Sequence, residues 1–343
     1  MKTIHFAPRA PLSLLLRRPN AAMREALSVA PSYFRFSRDA LHAWFAKHPG
    51  VVWFPSFHCG MEVRAAVDAG CTPRFYRIRE DFTIDEEQLA ERLKRERGTV
   101  VVIHYFGFAQ PGIARIAKWD APLLEDCSHA FLSRHDQRPL GTFGDAATFS
   151  LYKSLGTVDG GALRDGDTRC EASPAFVALD AQLADWKKRW RDRAESRTDV
   201  LRTRFADRVV TAEARIFDGP WTYGRAMSRL SLALSVRIDA DHVAQRRRTN
   251  YETLARMLNL DVPQLGPETV PLFLPIFVDD RVDTLVRLQA ERIEPFIFGM
   301  FHHPAMNADE FPEARRLREN LLCLPIHHQL EERDLARIAE VLR

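Results

Sequence analysis

The amino-acid sequence predicts an α/β protein, a larger domain on a largely parallel sheet (residues 1–239) followed by a smaller α+β domain (residues 240–343). Three observations carry this. From about residue 37 to 165, amphipathic stretches alternate with short apolar runs, the pattern of strands joined by crossover helices. Pro263, Pro267, Pro271 and Pro275 then punctuate a connecting region before a second set of elements. With 343 residues, 46% hydrophobic and 28% charged, the chain has the length for two units and the apolar content to bury a core in each.

In chain order, Arg38–Lys47 reads as a helix, its apolar residues recurring at helical spacing, and Val51–Phe54 as a strand of four β-favouring residues. Glu62–Ala69 and Asp85–Arg95 repeat the amphipathic pattern, and Arg74–Tyr76 and Val100–His104 the strand pattern. A short helix around Ile113–Ala117 leads to a strand at Leu123–Glu125, and strands at Ala146–Leu151 and Gly161–Leu163 follow. Residues 175–215, with no glycine and no proline after Pro174, read as one or two long charged helices, and Met227–Ile238 as a more apolar one. Among the prolines, Leu272–Val278 is strand-like. Val282–Ala290 is then helical, Leu321–Leu324 strand-like, and Glu331–Leu342 a closing helix.

The balance of 49 basic against 46 acidic residues leaves a formal net charge of +3, too weak a field to predict nucleic acid or a membrane surface as a partner. The arginines around 187–193 and 246–248 read as solvated helix faces rather than a diphosphate site. Cys59, Cys71, Cys127, Cys170 and Cys323 are odd in number and irregular in spacing, so a reducing compartment is expected and a disulfide framework is not. No CxxC pair suggests zinc, and the paired histidines His302-His303 and His327-His328 lack an HExxH helix. No apolar run approaches the ~18 residues that span a bilayer, and a cytoplasmic protein is expected.

Two strand ends concentrate chemistry, since in open α/β sheets reactive side chains lie beyond the carboxyl ends of strands. One is Leu123-Leu124-Glu125-Asp126-Cys127-Ser128-His129, an apolar strand running into a carboxylate. The other is Ala146-Ala147-Thr148-Phe149-Ser150-Leu151-Tyr152-Lys153, which delivers a hydroxyl and an amine three residues apart. Of the chain's seven lysines, Lys2, Lys47, Lys94, Lys118, Lys187 and Lys188 lie in charged or terminal stretches; Lys153 alone sits among apolar and glycine-rich sequence. An ammonium there is costly unless it is partly exposed or has chemistry to do, and Schiff-base chemistry is one such use.

From about residue 30 to the C-terminus the chain resembles the DegT/DnrJ/EryC1/StrS sugar aminotransferases, a family of fold type I pyridoxal phosphate enzymes. The carriers are the order and spacing of Phe36-Ser37-Arg38-Asp39-Ala40-Leu41, Phe54-Pro55-Ser56-Phe57-His58-Cys59, Val102-Ile103-His104-Tyr105-Phe106-Gly107, Leu124-Glu125-Asp126-Cys127-Ser128-His129-Ala130, Gly144-Asp145-Ala146-Ala147-Thr148-Phe149-Ser150 with Lys153, Gly160-Gly161-Ala162-Leu163 and Leu324-Pro325-Ile326-His327. The resemblance implies a three-layer α/β/α large domain, pyridoxal 5'-phosphate as cofactor, and a homodimer. It also implies amino transfer from an amino acid such as glutamate to a keto group on a nucleotide-linked sugar.

Residue by residue, the resemblance makes Lys153 the Schiff-base lysine and Asp126 the partner of the pyridinium nitrogen. It gives Ser150 a phosphate contact, and His129 a place beside the phenolic oxygen where relatives often carry Gln. Ser37, Arg38 and Asp39 open a helix whose free N–H groups favour a phosphate, though relatives carry a small pair such as Gly-Thr there, and Ser37 and Asp39 also suit ordinary capping. The ring-stacking position falls at His58 or Cys59, with His58 favoured because a planar ring can stack. Arg225 stands in for residues that reach the neighbouring subunit's phosphate, without the usual Asn. The three-residue step from Ser150 to Lys153 is shorter than in most relatives and marks a divergent branch. Other reactions of the same fold stay open, namely a lyase, a decarboxylase, an acyl-transfer enzyme or a non-catalytic binding protein. The presence of Lys153 argues against a sugar dehydratase.

Overall fold

The computed structural model describes residues 2–165 and 221–343; the helices expected at 175–215 and the basic cluster at 187–193 lie outside the described residues. The first half runs α1 (Ala21–Ser28), β1 (Ser32–Phe34), α2 (Ser37–Lys47), β2 (Val51–Pro55), α3 (Met61–Asp68), β3 (Thr72–Tyr76), α4 (Glu86–Arg95), β4 (Thr99–Ile103), α5 (Ile113–Ile116) and β5 (Leu123–Asp126). A small hairpin, β6 (Arg134–His135) and β7 (Arg138–Pro139), precedes β8 (Ala146–Ser150), α6 (Leu151–Leu155) and β9 (Gly161–Arg164). Side chains of Asn20 and Asp85 cap α1 and α4 by accepting N–H groups of Met23 and Gln88.

Seven strands form one sheet in the order β1-β9-β8-β5-β4-β2-β3. From β3 to β8 the pairings are parallel, and β9 is antiparallel to both its neighbours. The fold class is therefore as the alternation predicts. Strands β4, β5 and β8 are buried along their whole length because both faces are covered. Successive side chains point to opposite faces, so Ala146 joins the core with Trp44, Phe45 and Val63 of α2 and α3, while Ala147 and Phe149 join the core with Met23 and Leu27 of α1.

The second half comprises α7 (Arg229–Ser235), α8 (Ala240–Met257), β10 (Phe273–Phe277), α9 (Arg281–Ala290), α10 (Pro312–Asn320), β11 (Leu321–Pro325) and α11 (Glu332–Leu342). Strands β10 and β11 pair antiparallel with Pro275 opposite Cys323. Their alternate side chains divide between two cores. Phe273, Leu321 and Cys323 pack on the main sheet's cluster, and Leu274, Ile276, Leu322 and Leu324 pack with Leu285, Leu335 and Ile338 of α9 and α11. The N-terminus belongs with this second core. Ile4 is buried there, donating its N–H to the Arg292 carbonyl at 2.9 Å and accepting from the Glu294 N–H at 2.8 Å. Among the described residues no helix is long and apolar enough to cross a membrane.

Candidate active site

The carboxyl ends of β4, β5 and β8 meet the first turn of α2. In register, Ile103 stands opposite Asp126, and Asp126 opposite Thr148. Strand β8 ends on Ser150 and turns directly into the five-residue helix α6, which Gly156 terminates in the left-handed conformation (φ 77°). This turn swings Lys153 over the strand ends. Lys153, Asp126, His129, Ser37, Arg38 and Cys59 line one cleft together with Phe36, Leu41, Met61, Glu62, Ile103, Ser128, Tyr152 and Phe298.

Lys153 Nζ lies 3.3 Å from His129 Nε2 and 5.7 Å from the centre of the Phe296 ring. Burial, with the Lys153 charge beside it, holds the His129 imidazole well below its usual pKa and therefore neutral. Its ring is packed between Phe106, stacked at 5.6 Å, and the edge of Phe298 at 4.9 Å. Asp126 is 6% exposed, and its Oδ1 accepts the Ser128 N–H at 2.8 Å. At the α2 end, the Arg38 guanidinium lies 4.3 Å from the Phe36 ring centre and 4.4 Å from that of Trp221.

Four of the residues singled out from the sequence stand outside the cleft lining. His58 is the clearest correction. It is fully buried, stacked on Phe75 at 5.4 Å, with Nδ1 bonded to the Pro55 carbonyl at 2.9 Å and Nε2 accepting the His303 N–H at 3.1 Å. Both ring nitrogens are spent and the ring faces away, so of the His58/Cys59 alternatives only Cys59 faces the cleft. Asp39 turns from the cleft to accept a hydrogen bond from the Arg225 backbone, and burial raises its pKa. Arg225 is exposed, and its carbonyl accepts the Arg35 N–H at 2.7 Å. Ser150 is fully buried at the strand end, and its Oγ has no hydrogen-bond partner.

Glu62 is the cleft residue that sequence reasoning missed. It is 3% exposed in the first turn of α3, and burial, reinforced by Asp126, raises its pKa. The available signal was a polar residue three places before an acid, the pattern by which an acid reaches back to free N–H groups at a helix start. A second acid, Glu125, points to the opposite side of β5. It accepts from His104 Nε2 at 3.1 Å and from the N–H groups of Gly141, Phe143 and Gly144 at 2.6–2.8 Å. His104 Nδ1 takes the Gln110 N–H at 3.1 Å, so although His104, Glu125 and Cys127 cluster at metal-ligand spacing, the first two already spend their ligand atoms on the fold.

A sheet of this order with an amine, a carboxylate and a helix N-terminus converging at its strand ends defines a fold type I enzyme. The chain belongs to the DegT/DnrJ/EryC1/StrS aminotransferase family, whose model matches residues 40–343. It is 26% identical over 318 residues to the UDP-N-acetyl-3-dehydro-alpha-D-glucosamine 3-aminotransferase of Acidithiobacillus ferrooxidans, covering 84% of this chain and 76% of that one. It is 33% identical over 107 residues to the UDP-4-amino-4,6-dideoxy-N-acetyl-beta-L-altrosamine transaminase of Campylobacter jejuni, covering 29% and 28%. In structure it is similar to PseC of Helicobacter pylori, an aminotransferase involved in the biosynthesis of pseudoaminic acid, with a TM-score of 0.69, 16% identity, and 99% and 98% of the two chains covered.

The family's enzymes depend on pyridoxal 5'-phosphate, and the residues present fit that group. Ser150 Oγ is a buried donor without an acceptor, an arrangement that costs ~1–3 kcal/mol unless a ligand supplies one. Its strand partner Gly161 abuts the backbone of Phe36 and Ser37, so the orphaned hydroxyl stands against the start of α2, whose free N–H groups and dipole favour an anion. The amine of Lys153 and the carboxylate of Asp126 line the same cleft.

Proposed function

We propose that the protein moves an amino group from an amino acid, L-glutamate, to a keto group on a nucleotide-linked sugar, and that it works as a cytoplasmic homodimer. The observation that carries the reading is the amine of Lys153 set 3.3 Å from a neutral imidazole in a cleft shared with Asp126. Pyridoxal phosphate, when bound, supplies a carbonyl for the lysine and a ring that takes up electrons. Lys153 Nζ would hold the cofactor and would take up and return the proton exchanged at the substrate carbon. Asp126 would keep a proton on the cofactor's ring nitrogen. Ser150 Oγ, the N–H groups at Ser37 and the Arg38 guanidinium hold the phosphate. His129 would orient the phenolic side of the cofactor, and Cys59 would lie beside its ring. The named activities of the Acidithiobacillus and Campylobacter relatives support the nucleotide-linked acceptor. Arg225, exposed and outside the lining of its own cleft, supports a role toward a second copy.

The test is the visible spectrum of the protein with pyridoxal phosphate, beside Lys153→Ala. A band present only with Lys153, lost on adding L-glutamate and restored by a nucleotide-linked keto sugar, is expected. A band indifferent to every amino donor would point to a different reaction of this fold. Asp126→Asn should retain cofactor yet lose turnover; unchanged kinetics would leave Asp126 only its local bond to the Ser128 N–H.

A further inference from the structure

Helix α8 turns Ala240, Val243, Arg247, Tyr251 and Leu254 into the interior. Spacings of three and four make this the helix's core-facing stripe, in which position 247 should be apolar. Arg247 is instead 2% exposed, and among the described residues no carboxylate lies within ion-pair distance of it. Burial pulls its guanidinium down to about 9, and its charge adds to the burial that keeps His327 and His328 neutral. With no carboxylate beside it among the described residues, this cation is held there by backbone carbonyl dipoles.

Those dipoles come from two separate segments. Nη1 donates to the Leu272 carbonyl at 2.8 Å and less closely to that of Pro271 at 3.4 Å; Nη2 donates to the Ser154 carbonyl at 3.1 Å. Ser154 follows Lys153 in α6, near the helix end where carbonyls lack partners within the helix. Leu272 passes its N–H to the Phe106 carbonyl at 2.8 Å, and Phe106 directs its own N–H to His129 Nδ1 at 3.5 Å. His129 Nε2 faces Lys153 Nζ. The contacts close a ring, from Arg247 through Ser154 to Lys153 on one side, and through Leu272, Phe106 and His129 to the same amine on the other. Phe106 holds a left-handed conformation (φ 55°) that a phenylalanine keeps only when its surroundings over-determine it.

We propose that Arg247 is a positioning residue for the Lys153–His129 pair, its fork of donors setting the distance between α6 and the turn that carries Phe106. The inference rests on Lys153 being the cofactor-binding lysine. A guanidinium spans two carbonyls from different segments, whereas an ammonium is a point donor, so Arg247→Lys keeps the charge and gives up the span.

The experiment compares wild type, Arg247→Lys, Arg247→Gln and Lys153→Ala with pyridoxal phosphate and L-glutamate, with melting of each cofactor-free protein as the report on folding. The rate at saturating glutamate should fall by about 10- to 100-fold in Arg247→Gln, with Arg247→Lys between it and wild type. The half-saturating glutamate concentration should stay within about twofold, because Arg247 lies outside the cleft lining, and the amplitude of the visible band should fall in the same order as the rate. Folded variants with wild-type rate and band overturn the inference. So does a change confined to half-saturation, and so do variants that do not fold, which would assign Arg247 to the fold as a whole. Absence of the band from wild type itself would refute the assignment of Lys153 instead, which separates the two failures.

Discussion

Glu62 accepts the backbone N–H of Cys59 at 2.9 Å through one carboxylate oxygen and its thiol at 2.7 Å through the other. The acid thereby clamps Cys59, which lines the cleft. The thiol is kept protonated, since burial and then the Glu62 charge push its pKa well above the ordinary value.

The clamp has a pH signature. Burial, then Asp126, holds the Glu62 pKa above its unfolded value, so its contribution to stability is full at low pH and is lost as pH rises through the folded pKa. Glu62→Gln has no such proton to lose. It should be about 1 kcal/mol less stable in acid, where a hydrogen bond to the thiol is weakened, and the deficit should shrink as pH rises from about 4 to 7. Melting curves across that range check the sign; a deficit that grows with pH would mean that the carboxylate is stabilised in place.

Glu125 predicts the opposite slope. Burial alone would raise its pKa, but the hydrogen bond from His104 and the N–H groups of Gly144 and Gly141 outweigh burial and lower it. A depressed carboxylate contributes stability above its unfolded pKa and loses it as pH falls through the folded one. Glu125→Gln should cost about 3 kcal/mol at neutral pH, and wild type and variant should converge on acidification. Urea titrations at several pH values measure the gap.

Asp126, Lys153 and their strands were legible because a strand end is a local pattern, an apolar run meeting a polar residue. What escaped was decided by contacts distant in sequence. His58 and Cys59 are adjacent, and the choice between them is made by Phe75, Pro55 and His303, partners that no local pattern names. Ile4 joins the second core through Arg292 and Glu294, nearly the length of the chain away. Arg247 read as part of a solvated basic face because three arginines in a row hide which one α8 turns inward. Helix boundaries moved by one to three residues where caps decide them, as at Arg281–Ala290, which Asp280 opens by accepting the Asp283 N–H.

Gly161 ties the sheet to the cleft. A Cβ there would meet the backbone of Phe36 and Ser37, which cannot give way as a side chain can. Gly161→Ala should therefore displace the start of α2, costing ~1–3 kcal/mol in stability and weakening pyridoxal phosphate binding. Calorimetric melting with and without cofactor checks both; a stable variant with unchanged affinity would detach α2 from the phosphate.

Ser150→Ala separates the two readings of that serine most sharply. A hydroxyl bonded within the protein would lose its partner on substitution and lower the stability of the cofactor-free chain. Ser150 Oγ has none to lose, so the cofactor-free variant should melt at the wild-type temperature or slightly above it, because a buried unsatisfied group has been removed. If the hydroxyl serves the phosphate, the dissociation constant for pyridoxal phosphate should rise by about tenfold, the loss of one hydrogen bond to a charged acceptor. Equilibrium titration by absorbance, paired with melting of the cofactor-free protein, gives both numbers. A loss of stability with unchanged affinity would make Ser150 an ordinary strand-end serine, and phosphate binding would then rest on Ser37 and Arg38.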